Sequence, residues 1–202
     1  MNPMIKAALS SLYQELGLKL MLITIIKLSW SKLKGEPFQD LPLAQNRKER
    51  LSREQLGPVI IIYRILLMYL NPQEALKITT KVVETSGRAF LKVVLKDLDL
   101  NELTQLSEKE QKNYLTNLLD AVPNSIFTIH IVDQSTVHFT VTDCLFVQLC
   151  HQLELPQLAP LFCAVDKAFF QKDVTNISFE RETTIAEGGH TCPFVFKVES
   201  DH

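Results

Sequence analysis

The stretch IFTIHIVDQSTVHFTV, residues 126–141, decides the fold. Upstream of it, apolar residues recur every three or four positions; here the period drops to two. Ile126, Thr128, His130 and Val132 fall on one face, Phe127, Ile129 and Ile131 on the other, and Asp133, Gln134 and Ser135 form a short turn into residues 137–141. Alternation on both sides of a polar turn predicts an antiparallel hairpin. A second alternating pair follows, NISFERETTI (176–185) and CPFVFKVE (192–199), with EGGH (187–190) as a tight hairpin loop. Between the hairpins, residues 144–153 and 157–170 are apolar at helical spacing and are divided at Pro156.

Working outward from the first hairpin, the N-terminal side reads as helical. Ile5, Leu9, Leu12, Leu16, Leu20, Ile23, Ile26, Trp30 and Leu33 form one stripe over 4–33, and Met21, Leu22 and Ile25 broaden it, so this helix is expected to be covered on more than one side. Two prolines, a glycine and mixed charge make 34–50 an exposed linker. Ser52 and Gln55 resemble a capping box, but Pro58 would then lie inside the helix, so a fresh start with Pro58 in the first turn is expected. Asn71, Pro72 and Glu74 form a cap, a first helical position and a box for a helix running to about Thr85. Gly87 is expected to kink it, with helix resuming over 88–97. Ser107 and Glu110 cap a further helix over 108–120. The sum is an α+β fold: N-terminal helices packed with a small antiparallel sheet of two hairpins and two intervening helices. A helical region (1–120) and an α+β region (121–202) are expected to share one compact domain.

Bulk composition narrows the function. The 202 residues suffice for a sizeable core. Lys+Arg 21 against Asp+Glu 23 leaves no broad basic field, which disfavours nucleic acid as a partner. The apolar runs 16–30 and 59–70 are shorter than the roughly 20 residues a membrane span needs and carry Lys19, Lys27 and Arg64, so no span is expected; peripheral membrane contact by the first stays open. The N-terminal residues lack a secretory pattern, so a cytoplasmic location with reduced thiols is expected.

The residues able to carry chemistry cluster in the last third. Cys144, Cys150, His151, Cys163, His190 and Cys192 offer soft ligands, but without the close pairing of structural zinc sites. Cys144 and Cys150 are read as lying on different sides of one helix, and Cys150 and Cys163 as buried small apolar residues. No metal or cofactor is expected. Asp166 sits three residues after Cys163 on a shared helical face, among apolar neighbours that make an unpaired carboxylate costly. It is either a general base or orienter, or a structural group, paired with Arg181 or capping a strand end. His190 follows a glycine pair whose backbone allows close approach.

Taken together, DCLFVQLCHQLELPQLAPLFCAVDKAFF (143–170) and ISFERETTIAEGGHTCPFVF (177–196) resemble the L-2-amino-thiazoline-4-carboxylic acid hydrolase-like family. The shared pattern is a Cys-bearing helix, Phe-Cys-x-x-Asp, Arg-x-x-Thr-x-x-x-Gly and Cys-x-Phe. It falls here on Cys144, Cys163, Asp166, Arg181, Thr184, Gly188, Cys192 and Phe194, and covers roughly residues 125–198; residues 1–110 fit only as a generic helical lead-in. Leu145 stands where the family pattern leads one to expect proline. The resemblance implies hydrolytic opening of a cyclic amidine carboxylate. Arg181 would clamp the carboxylate, with Thr184 and Gly188 beside it; Asp166 would activate water, and Cys163, Cys192 or His190 would supply or relay a proton. A fainter similarity to 4-vinyl reductase domains, related in fold to TRAPP-type subunits, implies instead a non-enzymatic module that binds a small molecule or another protein. Zinc-holding members of that group carry Glu-x-x-Cys-x7-Cys where this chain has Arg181, Thr184 and Cys192, so two ligand positions are lost. The expected partner is a small-molecule substrate or ligand, with a homodimer through the N-terminal helices as a further expectation.

Overall fold

The computed structural model describes residues 2–96, 106–120, 122–132, 136–174 and 177–198. The turn expected at Asp133, Gln134 and Ser135 lies outside the described residues. In chain order the elements are α1 (Pro3–Leu33), α2 (Arg47–Leu66), α3 (Pro72–Val94), α4 (Glu108–Asp120), β1 (Ser125–Val132), β2 (Thr136–Cys144), α5 (Leu145–Gln152), a 3-10 turn at Pro156–Leu158, α6 (Ala159–Lys172), β3 (Ile177–Glu180), a second 3-10 turn at Ile185–Glu187, and β4 (Cys192–Val198). The four strands form one antiparallel sheet in the order β1-β2-β4-β3. The α+β architecture read from the sequence is the one observed.

Local chemistry explains most boundaries. The Asn71 side chain accepts a hydrogen bond from the Glu74 amide and donates to the Glu74 carboxylate, with Pro72 in the first turn. Such a cap contributes about 1 kcal/mol. Ser107 likewise donates to Glu110 from its backbone amide and its hydroxyl, ahead of α4. Pro156 opens the turn that separates α5 from α6.

Several elements depart from the sequence reading. Helix α2 starts at Arg47, capped by Asn46, and runs straight through Pro58; the Ser52 hydroxyl bonds back to the Lys48 carbonyl rather than capping anything. An internal proline costs a helix about 3 kcal/mol. Here burial of Leu56, Ile60, Ile61, Tyr63, Ile65 and Leu66 offsets it. The segment 34–46 is mostly exposed, as expected of a linker, but it is anchored at one point: Pro37 is buried and Phe38 packs on the core, so close to Gly57 that a β-carbon there would sit 3.2 Å from the ring. Gly87 does not kink α3, which is continuous to Val94. It lets α3 and α6 touch, because a β-carbon at Gly87 would lie 2.7 Å from a methyl of Val165.

The stripe over 4–33 fails for a geometric reason. Gly17 adopts φ +68°, outside the helical region, and this resets the rotational phase of α1. Ser11, Leu12 and Thr24 become its buried residues, while Ile5, Ile26, Trp30 and Leu33 face outward. The helix is therefore covered on one side, by α2 and α3.

Two apolar cores result. One joins α1, α2 and α3 to α5 and α6 through Leu12, Leu56, Ile60, Val82, Leu149 and Ala159; the other places Leu115 of α4 on Val137, Phe139, Val141 and Cys192 of the sheet. Helix α6 links them, packing on α3 with one face and on β3 with the other. Its C-terminal end is tied to α3 by Asp173, which accepts from Arg88 at 2.6 and 2.9 Å and pairs with Lys92 at 2.7 Å. Those bonds, Arg88 foremost, pull the Asp173 carboxyl down to about 2. Because the folded value lies below the unfolded one, this stabilisation is present above the ordinary carboxylate range and disappears as pH falls toward 2.

The Gly87 contact yields a test. Gly87→Ala gains helix propensity of about 1 kcal/mol but overpacks against a stiff, buried valine at a cost of about 1–3 kcal/mol. Urea unfolding is expected to show net destabilisation by Gly87→Ala, and the double variant Gly87→Ala/Val165→Ala is expected to be more stable than Val165→Ala alone.

Candidate functional site

Helix α6 presents Cys163, Asp166 and Phe170 at spacings of three and four, hence on one face. That face meets the sheet at β3 and β4, where Phe170 packs on Phe179 and Phe196 with ring centroids 5.3 and 4.7 Å apart. Arg181 follows Phe179 by two residues and so extends from the same side of the chain as it leaves β3. Its guanidinium donates to Asp166 Oδ2 at 2.8 Å and to the Cys163 carbonyl at 2.7 Å. It also lies over the rings of Phe179 and Phe194, at 5.5 and 5.1 Å from their centroids. The Arg181 side chain is only 8% exposed. A charge withdrawn that far from water requires a paired, hydrogen-bonded partner, and Asp166 provides it. The ion pair named as one alternative for Asp166 is therefore present.

Asp166 is held in a different way. Its side chain remains 29% exposed. Yet its carboxyl is pushed up to about 6, above all by burial, with Arg181 pulling in the opposite direction. Asp166 is thus packed among protein groups and bonded to Arg181 while part of its side chain still meets solvent. Burial likewise pushes the thiols up: Cys163 and Cys150 to about 12, and Cys144 and Cys192 in the same direction. All four cysteines are free and protonated near neutral pH. At Cys163 burial outweighs the neighbouring Arg181 charge, which alone would favour the thiolate, while Asp166 opposes it.

The loop from Arg181 to Thr191 completes the corner, and it is not the tight EGGH hairpin. β3 ends at Glu180, and the intervening chain forms a 3-10 turn. Thr184 is buried, accepts from the Glu187 amide at 3.2 Å and donates to the Glu187 carboxylate at 2.7 Å. Gly188 ends the turn at φ +93°, which glycine alone adopts without strain, and the Gly189 amide closes back on the Thr184 carbonyl at 2.9 Å. Cys192 faces the sheet core and its sulfur accepts from the Ile185 amide at 3.2 Å. His190 is exposed at the loop tip and takes part in none of these bonds.

The structure thus brings Cys163, Asp166 and Arg181 into contact, places Cys192 beneath the loop, and gives Thr184 and Gly188 the task of shaping it. Two cysteine readings change. Cys144 ends β2, paired with Ser125 of β1, rather than sharing a helix with Cys150; α5 begins one residue later, at Leu145. Cys163 is partly exposed, unlike the fully buried Cys150. The aromatic support of Arg181 by Phe179 and Phe194 was not read from the sequence; the signal for half of it was the two-residue spacing from Phe179 to Arg181. Among the described residues, no group of three His, Cys, Asp or Glu side chains has the geometry to hold a metal ion.

Asp166 has a measurable signature. Its carboxyl carbon is expected to titrate near pH 6 in a carbon-detected NMR experiment, and Arg181→Met should move that midpoint upward. Because the folded value is raised, stability linked to this group is full below the ordinary aspartate range and falls as pH rises through about 6. The stability of the wild type relative to Asp166→Asn is therefore expected to decline over that interval; a flat difference would contradict the raised value.

The family model described as L-2-amino-thiazoline-4-carboxylic acid hydrolase matches residues 51–196, well over half of the chain. The chain belongs to that family. The match reaches into α2, so much of what resembled only a helical lead-in is part of the family unit, while α1 lies outside it. Among curated proteins no relative matches.

Proposed function

We propose that this member of the L-2-amino-thiazoline-4-carboxylic acid hydrolase family uses the corner between α6 and the 181–191 loop to hydrolyse a small cyclic amidine carboxylate, with Asp166 as the general base. The observation that carries the reading is the setting of Asp166, enclosed enough to raise its carboxyl to about 6 and open enough to meet water. A base works best when it is ionised at the working pH yet still basic enough to take a proton. In the reaction, water adds to the amidine carbon while Asp166 takes one of its protons. The ring bond from that carbon to sulfur or nitrogen then breaks, and the leaving atom receives a proton. Cys163, on the same face of α6 and protonated, is placed to relay it.

Arg181 takes a different part from the carboxylate clamp implied by resemblance. Its bonds to Asp166 and to the Cys163 carbonyl make it a positioning residue that fixes the base and favours its ionised form. A substrate carboxylate could claim the guanidinium only by displacing one of those partners.

The same engagement of Arg181 favours a second reading, in which the corner binds a small molecule without transforming it. Phe139, Phe179, Phe194 and Phe196 form an aromatic cluster beside it, suited to a flat or apolar ligand.

Turnover separates the two. Incubation of the purified protein with L-2-amino-thiazoline-4-carboxylate is expected to give a product heavier by one water, with a rate that climbs as pH rises through about 6. Asp166→Asn should lower kcat by roughly 10²–10⁴, and Arg181→Met should shift the rise to higher pH. A folded wild-type protein that yields no product but is stabilised thermally by the same compound would replace hydrolysis by binding.

A further inference from the structure

We infer that the outward face of α1 docks on an anionic lipid surface, with Trp30 as its interfacial anchor. Leu18, Leu22, Ile26, Trp30 and Leu33 succeed one another at steps of four and three and are all exposed, Trp30 at 62% and Leu33 at 82%. They lie opposite the face that buries Thr24. The stripe continues onto the turn after α2: Lys27 Nζ lies 3.5 Å from the Met68 sulfur and 5.5 Å from the Tyr69 ring centroid, and Met68 and Tyr69 are themselves exposed. Mean hydropathy over the most apolar 18-residue window of α1 reaches 1.3, the level of a membrane-crossing helix, although only 17% of that window is buried. A soluble core helix with that composition would be mostly covered.

Charge selects the occupant. The chain as a whole carries a formal net charge of −2, yet from Pro3 to Lys34 the charged residues are Lys6, Lys19, Lys27, Lys32 and Lys34 against Glu15 alone. Lys34 lies 5.8 Å from the Trp30 ring centroid. An apolar ridge with a tryptophan at one end and lysines along its flanks matches the boundary of an anionic bilayer, where the ring sits at headgroup level and the ammonium groups reach the phosphates. A second copy of the same face would set lysine against lysine, which disfavours self-association there. The helix also bends at Gly17 and holds Leu12 and Thr24 in the fold, so it lies along the surface rather than crossing it.

Trp30 is the only tryptophan, so its emission reports on this face alone. The full chain is mixed with phosphatidylglycerol vesicles and, separately, with pure phosphatidylcholine vesicles. The expected result is a blue shift of Trp30 emission and co-flotation with the first and neither with the second. Lys19→Gln and Lys32→Gln should each weaken binding about fivefold, and the exposed-site variant Ile26→Asp should abolish the shift without altering the circular dichroism spectrum. Four outcomes would overturn the proposal: no flotation with either vesicle, equal flotation with both, association that survives an alkaline carbonate wash, or a blue shift that grows with protein concentration in the absence of lipid. The third would mean insertion of α1, and the fourth a dimer.

Discussion

An arginine almost entirely withdrawn from water cannot stand alone, and the bond between Arg181 and Asp166 answers that constraint. The pair joins the middle of α6 to the chain leaving the edge strand, and so ties the helical core to the sheet core. Its two members are treated unequally. Arg181 is flanked by Phe179 and Phe194 and by a helix carbonyl, so its charge is stabilised from several sides. Asp166 has the arginine and little else, and burial outweighs that attraction. The corner therefore keeps a fixed cation and leaves the carboxylate as the group free to exchange a proton. The protonated Cys163 thiol, on the same face of α6, does not compete for that proton near neutral pH.

What the sequence made legible was what local physics controls. The alternation in 126–141 marked the first hairpin, since residues that must face opposite sides of a sheet cannot also follow a helical period. Asn71 with Glu74 and Ser107 with Glu110 marked helix starts, because a cap needs only its own next turn. Pro58 misled because the helix that accommodates it is sustained by burial against distant elements. Gly87 misled because its reason is Val165, a residue far along the chain. In α1 a single change of backbone region at Gly17 was enough to break a stripe that looked continuous in the one-letter code.

The candidate site followed the same division. That Asp166 required a partner was deducible from the apolar character of its helix, and Arg181 was among the few cations close enough in sequence to serve. The loop was harder. Its length and its 3-10 turn arise because Arg181 turns away from the strand to reach α6, which shortens β3 and leaves Thr184 to organise the return. Cys192 was readable as core-facing from alternation alone, whereas its bond from the Ile185 amide depends on where the loop passes over the sheet.

The strand order β1-β2-β4-β3 has a kinetic meaning. β4 is the last of the four strands along the chain, yet it occupies the interior of the sheet, and β3 has no other neighbour. While the chain emerges during synthesis, β1 and β2 can zip together as soon as both are present, but β3 has nothing to pair with until β4 arrives and wedges in beside β2. Non-local pairings of this kind are the slow steps of folding. Arg181 is carried just beyond β3, and Phe194, one of the two rings it lies over, belongs to β4. The candidate corner is thus complete only once the last strand has joined the sheet.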